Sequence, residues 1–471
     1  MQPFKNKLMK EVQKLAKFTS SRSFNDLSKQ AVRELKIRLL DSIGCAIGAL
    51  EGPPIRRIKN QTLDFGGNPH STLLAGSKTA PDRAAFYNSS LVRYLDFNDS
   101  YLAKGETCHP SDNIGSILAA GEYNDIDGET FLTALAIAYQ VQCRLSDLAP
   151  VRHKGFDHTV QGAYASAAGT AYALGLDQEK TANAIAIAAT AYNALRVTRT
   201  GNLSNWKGLA FPSTGWTSTH SAFLAMRGVT GPEEVFEGNK GFKDSIAGDF
   251  NINWSKEDLE RVNKTIIKKY NAEIHSQATL EGLIEIREEN SFNCEDIEKI
   301  VLNTFDVAYH IIGGGEEGGK KNIRLKEEAD HSLPYMMAAA LLDGNVLPQQ
   351  YEQERILKED IQTLLKKIEV YEKKEYSDRF PNEEACDITI YFKNGEKITK
   401  SKCDYEGFHS RPASWDFICQ KFNNLSKNYT DEKLRNEIIL MIQNFENHSV
   451  KELMTLLSKV NSVSNLKIAY E

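Results

Sequence analysis

"ACDITIYFKNGEKITKSKC", residues 385–403, decides the fold class, because its apolar period is two in a chain whose other long patterns repeat near 3.6. Cys386, Ile388, Ile390 and Phe392 alternate with Asp387, Thr389 and Tyr391, the pattern of a strand with one buried face. Asn394-Gly395 follows as a hairpin turn, so the spacing predicts an antiparallel sheet covered on one side. "EKIVLNTF" (298–305) and "KIEVYE" (367–372) add β-branched and aromatic runs. Helical patterns at "SQATLEGLIEIREE" and "HSLPYMMAAALLDG" interrupt them, and residues 265–404 read as one α+β unit.

Outward from that unit the chain turns helical on both sides. From residue 25 to about 264, segments such as "LSKQAVRELKIRLLDSIGCAIGAL" repeat Ala31, Leu35, Ile37, Leu39, Ile43 and Ile47 at roughly helical spacing. "DGETFLTALAIAYQVQCRLSDLA" offers Asp127 as N-cap and is apolar on most faces, as an interior helix is. "HTVQGAYASAAGTAYALGL" and "QEKTANAIAIAATAYNALRV" are dense in Ala and Gly, which lets helices approach closely. After residue 411 helical patterns return and can pack back on the first half. The expectation is a mostly α protein with an α+β part: a helical domain over 1–264, an α+β lid domain over 265–404, and C-terminal helices over 405–471 that rejoin the helical domain.

Hydrophobic residues make up 41% of the 471 and charged ones 25%, ordinary proportions for a globular chain. A net charge of −6 with scattered Lys and Arg speaks against a nucleic-acid partner. The seven cysteines include no C-x-x-C pair, which implies a reducing, cytoplasmic setting and gives no support for zinc or an iron–sulfur cluster. "MQPFKNKLMKEVQKLAKFTSSRSF" lacks a signal-peptide core and carries Glu11, so it is read as a surface helix. No window is apolar long enough to span a membrane.

"GGGEEGGKK" (313–321) contains G-x-x-x-x-G-K, the spacing of a phosphate-binding loop. Lys321 stands where a Ser or Thr would ligate magnesium, and Glu316 and Glu317 would repel phosphate; a mobile loop is the better reading. "LDFNDSYLAKGETCHPSDN" (95–113) gathers Asp96, Asp99, Asp112 and His109. Spacing alone leaves a two-carboxylate, one-histidine metal site, acid/base chemistry and helix capping all open, with Ser111 or Asp112 the capping candidates. His158 opens a helix, where the dipole favours a neutral imidazole. Lys207 lies in a Gly- and Ala-rich stretch, and Lys268, Lys269, Glu273 and His275 fall at the boundary between the two units, where clefts form. His331 and Tyr335 precede an apolar helix, where a Tyr is ordinarily core.

In this order, "VRYLDFNDSYLAKGETCHPSDNIGSIL", "KGFDHTVQGAY", "WKGLAFPSTG", "LAMRGVTGPEEVFEGNKGF", "NAEIHSQATLEG", "HSLPYMMAAALLDG" and "DYEGFHSRPASWDFICQKF" resemble the MmgE/PrpD family over nearly the whole chain. The resemblance implies a helical domain plus a smaller α+β lid, a homodimer, and catalysis with neither metal nor other cofactor. It implies an elimination: dehydration of 2-methylcitrate to 2-methyl-cis-aconitate in propanoate catabolism. Relatives that decarboxylate cis-aconitate keep a cluster that maps to Asp96, Ser100, His109, His158, Lys207, Lys268 and Tyr335, with Thr usual at position 100. They carry His where Glu273 stands, whereas the A-E-x-H-S-Q form of "NAEIHSQ" is the dehydratase-like one.

Removing a proton α to a carboxylate and expelling a tertiary hydroxyl needs fixed positive charge, a base and an acid. Lys207 and Lys268 are the expected clamp for the tricarboxylate; His109 and His158 share the base and acid roles in either order, with Tyr335 an alternative proton donor. Asp96 is expected to orient His109 or a substrate hydroxyl, with Ser100, Glu273 and His275 in substrate binding. Arg93, one turn before Asp96, would either hold a carboxylate or lie on the surface. The runner-up activities are cis-aconitate decarboxylation and epimerisation of a small dicarboxylate. A non-catalytic scaffold and a metal-dependent hydrolase are the readings from other classes.

Overall fold

A computed structural model describes residues 9–461. Long helices build the first body: Lys29–Gly48, Pro81–Tyr94, Gly128–Leu148, Thr159–Ala173, Gln178–Ala191 and Trp206–Met226. Their starts follow from sequence. Ser28 accepts the Ala31 N–H at 3.0 Å, and Asp127 accepts that of Thr130 at 2.8 Å, each satisfying a donor the first turn leaves open. Helix Thr159–Ala173 is buried on nearly every face, as its Ala and Gly content requires. The N-terminal helix, Glu11–Ser20, is more than a surface element: Val12, Leu15, Ala16 and Phe18 enter the core, while residues 1–8 lie outside the described residues.

Helix does not continue to residue 264 as the periodicity suggested. Beyond Met226 the chain runs through short turns of 3-10 and π type, because Gly228, Gly231, Pro232, Gly238 and Gly241 interrupt any helical repeat. Two short strands, β1 (Tyr101–Ala103) and β2 (Glu106–Cys108), form a hairpin inside the first half.

The sheet of the second body has four strands: β3 (Ile297–Thr304), β4 (Ile368–Glu372), β5 (Cys386–Phe392) and β6 (Lys397–Lys402), in the order β4-β3-β5-β6. The alternation in β5 is as read, with Cys386, Ile388, Ile390 and Phe392 all buried. An all-antiparallel sheet is not what forms. β4 pairs with β3 in parallel, Ile300 opposite Ile368, so the sheet is mixed. The reason is the long connection from Thr304 to Ile368: its helix Leu333–Asp343 provides the crossover that parallel neighbours need and that a hairpin cannot. Helix Gln277–Glu289 lies against β5 and β6 and packs on Leu333–Asp343.

Two large apolar cores result, beside a small cluster of Tyr101, Ala103, Cys108 and Cys143. Residues between Ile266 and Phe408 form one; Val12 to Ile267, together with Ala413 to Val460, form the other. Helix Trp415–Ser426 lies along Lys29–Gly48, burying Ile418 and Phe422. Gly128 shows how tightly the tail docks: a Cβ there would stand 1.8 Å from the Phe445 carbonyl oxygen. No helix among the described residues is long and apolar enough to cross a membrane.

Candidate active site

Arg93 ends helix Pro81–Tyr94, and Asp96, just beyond it, takes φ 56°, a left-handed conformation that costs a non-glycine residue on the order of 1 kcal/mol and collects at functional sites. Ser100 and Ile266 exchange backbone hydrogen bonds of 2.9 and 2.8 Å, which lays the Lys268 segment beside this turn. Lys268 Nζ then donates to Asp96 Oδ1 at 2.8 Å and to its carbonyl at 2.7 Å, while Lys207 Nζ donates to Oδ2 at 2.8 Å. Arg93 completes the set and also stands 3.5 Å from Asp112. Burial opposes ionisation of Asp96, but Arg93, Lys207 and Lys268 outweigh it and hold the carboxyl well below its usual range. Arg93 is therefore no surface residue; it is 1% exposed.

Asp96 does not orient His109. The His109 Nδ1 lies 2.8 Å from the Asp99 carbonyl and 3.0 Å from the Ser100 hydroxyl. A carbonyl only accepts, so Nδ1 carries the proton and Nε2 keeps its lone pair. Burial, reinforced by Arg93 and Lys268, drives the His109 pKa far down, so the ring is uncharged. Nor does Asp112 or Ser111 cap the following helix. The Asp99 carboxylate takes the Ser111 N–H at 3.1 Å and the Tyr139 hydroxyl at 2.7 Å; Asp112 is fully buried and bound by Asn98 at 2.8 Å.

His158 stands edge-on to His109, ring centres 5.4 Å apart. Its Nδ1 is 3.1 Å from Asp157, whose carboxylate Arg199 also holds. Burial opposes ionisation of Asp157, yet Arg199, His158 and Arg196 keep it ionised, so His158 donates from Nδ1 and Nε2 faces the Arg199 guanidinium at 3.5 Å. Burial and the arginines push its pKa down to about 3; the largest cause is burial rather than the helix dipole.

One cavity between the two bodies is lined by Arg93, Asp96, His109, His158, Lys268, Glu273 and His275, so segments far apart in sequence meet there. Lys207 and Ser100 sit one layer behind, on Asp96 and His109. Burial raises the Glu273 pKa to about 7, against the pull of Lys268. His275 packs edge-on to Phe305 and Phe380, with its Nε2 3.8 Å from Glu273. Tyr335 is not brought to the cavity: it is completely buried in the second core, and its hydroxyl donates to the Gln350 carbonyl. Lys269 also turns away, to Glu281 and Glu406.

His331 lines the cavity where Tyr335 was expected. With Asp96 and Asp330 it forms the one group among the described residues whose donor atoms converge as metal ligands do. Lys207 Nζ occupies that convergence, 2.8 Å from Asp96, 3.4 Å from Asp330 and 3.0 Å from His331. The donor set is thus already satisfied by an ammonium, and it does not include His109.

Sequence reading missed the cavity's arginines as well: Arg152, Arg196 and Arg199 line it too. Only the "RVTR" spacing, which points Arg196 and Arg199 the same way on a helical turn, hinted at them.

A helical body and a smaller mixed-sheet body thus meet over a cavity of histidines, a lysine and a buried carboxylate. The chain belongs to the MmgE/PrpD family: the MmgE/PrpD N-terminal domain matches residues 13–255 and the C-terminal domain residues 270–447. Among its relatives, the 2-methylcitrate dehydratase of Escherichia coli (strain K12) is 27% identical over 413 residues, 82% of this chain and 83% of that protein. The mitochondrial 2-methylcitrate dehydratase of Yarrowia lipolytica is 26% identical over 461 residues, 92% and 87% of the two chains. The cis-aconitate decarboxylase of Mus musculus is 25% identical over 471 residues, 94% and 92%.

Proposed function

We propose that the protein is a hydro-lyase that converts 2-methylcitrate to 2-methyl-cis-aconitate in propanoate catabolism, by the methylcitrate cycle and without a metal. The observation that carries this reading is the pairing of an uncharged His109, Nε2 free, with a Glu273 that holds its proton up to about pH 7 in the same cavity. Two titratable groups pushed apart in this way are what an acid and a base require. His109 Nε2 takes the proton α to a carboxylate, and the C–H electron pair becomes the new C=C bond. Lys268 and Arg93 face the negative charge that grows on that carboxylate. The C–O pair leaves with the hydroxyl, which Glu273 protonates to water. His109 ends protonated and Glu273 ionised, and proton return between them resets the site. His158, its Nε2 already facing Arg199, positions substrate.

Decarboxylation of cis-aconitate is the second reading, favoured by the near-complete overlap with the mouse decarboxylase. Loss of carbon dioxide expels no hydroxyl; the electron pair it leaves on carbon would take the Glu273 proton instead, so the two readings differ in which atom Glu273 protonates. Incubation with 2-methylcitrate, citrate and cis-aconitate, following ultraviolet absorbance of the conjugated product and carbon dioxide release, decides between them. The expected result is an unsaturated product from 2-methylcitrate that forms equally after EDTA treatment. Carbon dioxide from cis-aconitate with no product from 2-methylcitrate overturns the proposal. His109→Ala should lower kcat roughly 10²- to 10⁴-fold with circular dichroism unchanged.

A further inference from the structure

At the buried end of the cavity Arg93 and Lys268 flank Asp96, with Lys207 behind it, and three cations share one carboxylate. The cavity's more exposed end is different. Arg152 lines it half-buried, and its guanidinium has no hydrogen bond or ion pair among the described residues. Glu106 accepts the backbone N–H groups of Val151 and Arg152 at 3.1 Å each and makes no hydrogen bond to that guanidinium; burial raises its pKa although Arg196 and Arg152 both pull it down. Arg199 is neutralised by Asp157. Arg196 donates from Nη2 to Glu317, stands 3.8 Å from Asp157, and keeps a buried Nε without a partner.

Glu317 comes from the other body, on the Gly-rich stretch 313–321, and reaches across the mouth of the cavity; Glu316 beside it points to solvent. A side-chain carboxylate thus sits against an arginine with a second, unpaired arginine on the same wall. This is how a substrate carboxylate would be held.

Building on the dehydratase reading, we propose that Arg152 and Arg196 form a second carboxylate subsite at the outer end of the cavity, and that Glu317 fills it in the substrate-free protein. A polycarboxylate whose near carboxylate meets Lys268 and Arg93 places a distal one here, displacing Glu317 from Arg196. Acids with a single carboxylate cannot make that exchange. Glu317 therefore acts as a competitor built into the chain, and sets selectivity for di- and tricarboxylates over monocarboxylates.

Calorimetric titration with tricarballylate, a tricarboxylate with no hydroxyl to lose, tests the subsite without turnover. Glu317→Gln removes the competing charge and should tighten tricarballylate binding about tenfold, while Arg152→Gln should weaken it about tenfold, the scale of one charge-assisted hydrogen bond. Folded Glu317→Gln that binds tricarballylate no more tightly than the parent overturns the proposal, as does unchanged binding by folded Arg152→Gln. Should Arg152→Gln not fold, Glu317→Gln decides alone, since lost structure cannot raise affinity. Tricarballylate binding without turnover of 2-methylcitrate counts against the dehydratase reading alone; turnover with no gain in Glu317→Gln counts against the subsite alone.

Discussion

The site contains the same dipeptide twice, Asp157-His158 from the helical body and Asp330-His331 from the other, and the two do different things. In both, the aspartate faces Nδ1 of its own neighbour, at 3.1 and 2.8 Å, and burial pushes both imidazoles down to about 3. What differs is where the cation stands. Arg199 binds Asp157 and reaches His158 only at Nε2, so nothing contests the Nδ1 proton and the ring has one tautomer. Lys207 stands 3.0 Å from Nδ1 of His331, the same nitrogen that faces Asp330, so two neighbours ask opposite things of it. His331 is a spacer in the ion network Asp96–Lys207–Asp330–Lys326; His158 is an oriented imidazole. A cation beyond an Asp-His pair fixes the ring, and a cation between them makes it part of a lattice of charges.

The largest effect expected follows from that lattice. Lys207→Met leaves Asp96 and Asp330 facing each other's charge in a fully buried place, and removing one member of such a network costs ~3–5 kcal/mol. Arg199→Met uncovers a single carboxylate, Asp157, that Arg196 still approaches at 3.8 Å. Urea unfolding of both should rank Lys207→Met as clearly the less stable. An equal or greater loss in Arg199→Met would mean that the two pairs are alike after all.

Next in size is a kinetic difference. Asp157→Asn removes the acceptor that fixes the His158 tautomer, and kcat/KM should fall about 10²-fold, the usual scale for losing an outer hydrogen-bond partner. Asp330→Asn should shift the unfolding midpoint more than kcat. Steady-state kinetics beside thermal melts on the two variants separates orientation from network stability.

The contrast also explains what could be read in advance. The helices announced themselves through period and caps, and β5 through alternation, because those signals are local to a few residues. The parallel edge of the sheet did not, since strand order depends on a crossover 63 residues long between Thr304 and Ile368 that no window contains. His109, His158 and Lys268 were legible as chemistry-bearing types in unusual settings. The resemblance maps Tyr335 rather than His331 to the site; both head one helix, and only packing decides which of them the second core swallows. Arg152 carries no local signature, and Arg196 only its spacing from Arg199; what marks them is the cavity they share, where Arg152 has no hydrogen-bond or ion-pair partner among the described residues and Arg196 is held by Glu317 from the other body.

The smallest effect expected, about tenfold per pH unit, concerns the group that neither Asp-His pair supplies. Burial raises Glu273 from its ordinary 4.5 to about 7, so the protonated, donating form is lost as pH rises through 7 and kcat should fall on that limb. The same shift sets a stability slope of known sign. Between pH 4.5 and 7 the unfolded chain ionises Glu273 while the folded protein keeps it protonated, so the unfolded state binds fewer protons and stability declines as pH rises. Glu273→Gln removes that burden and keeps an acceptor for the His275 N–H, which Glu273 now takes at 2.8 Å. The variant should be more stable than the parent above pH 7, on the order of 1–3 kcal/mol, with the advantage fading towards pH 4.5. It should also lose most of its turnover together with the limb near pH 7. A merely structural glutamate would lose stability and activity together; a proton donor kept in a dry cavity at the cost of stability loses activity while the fold becomes firmer.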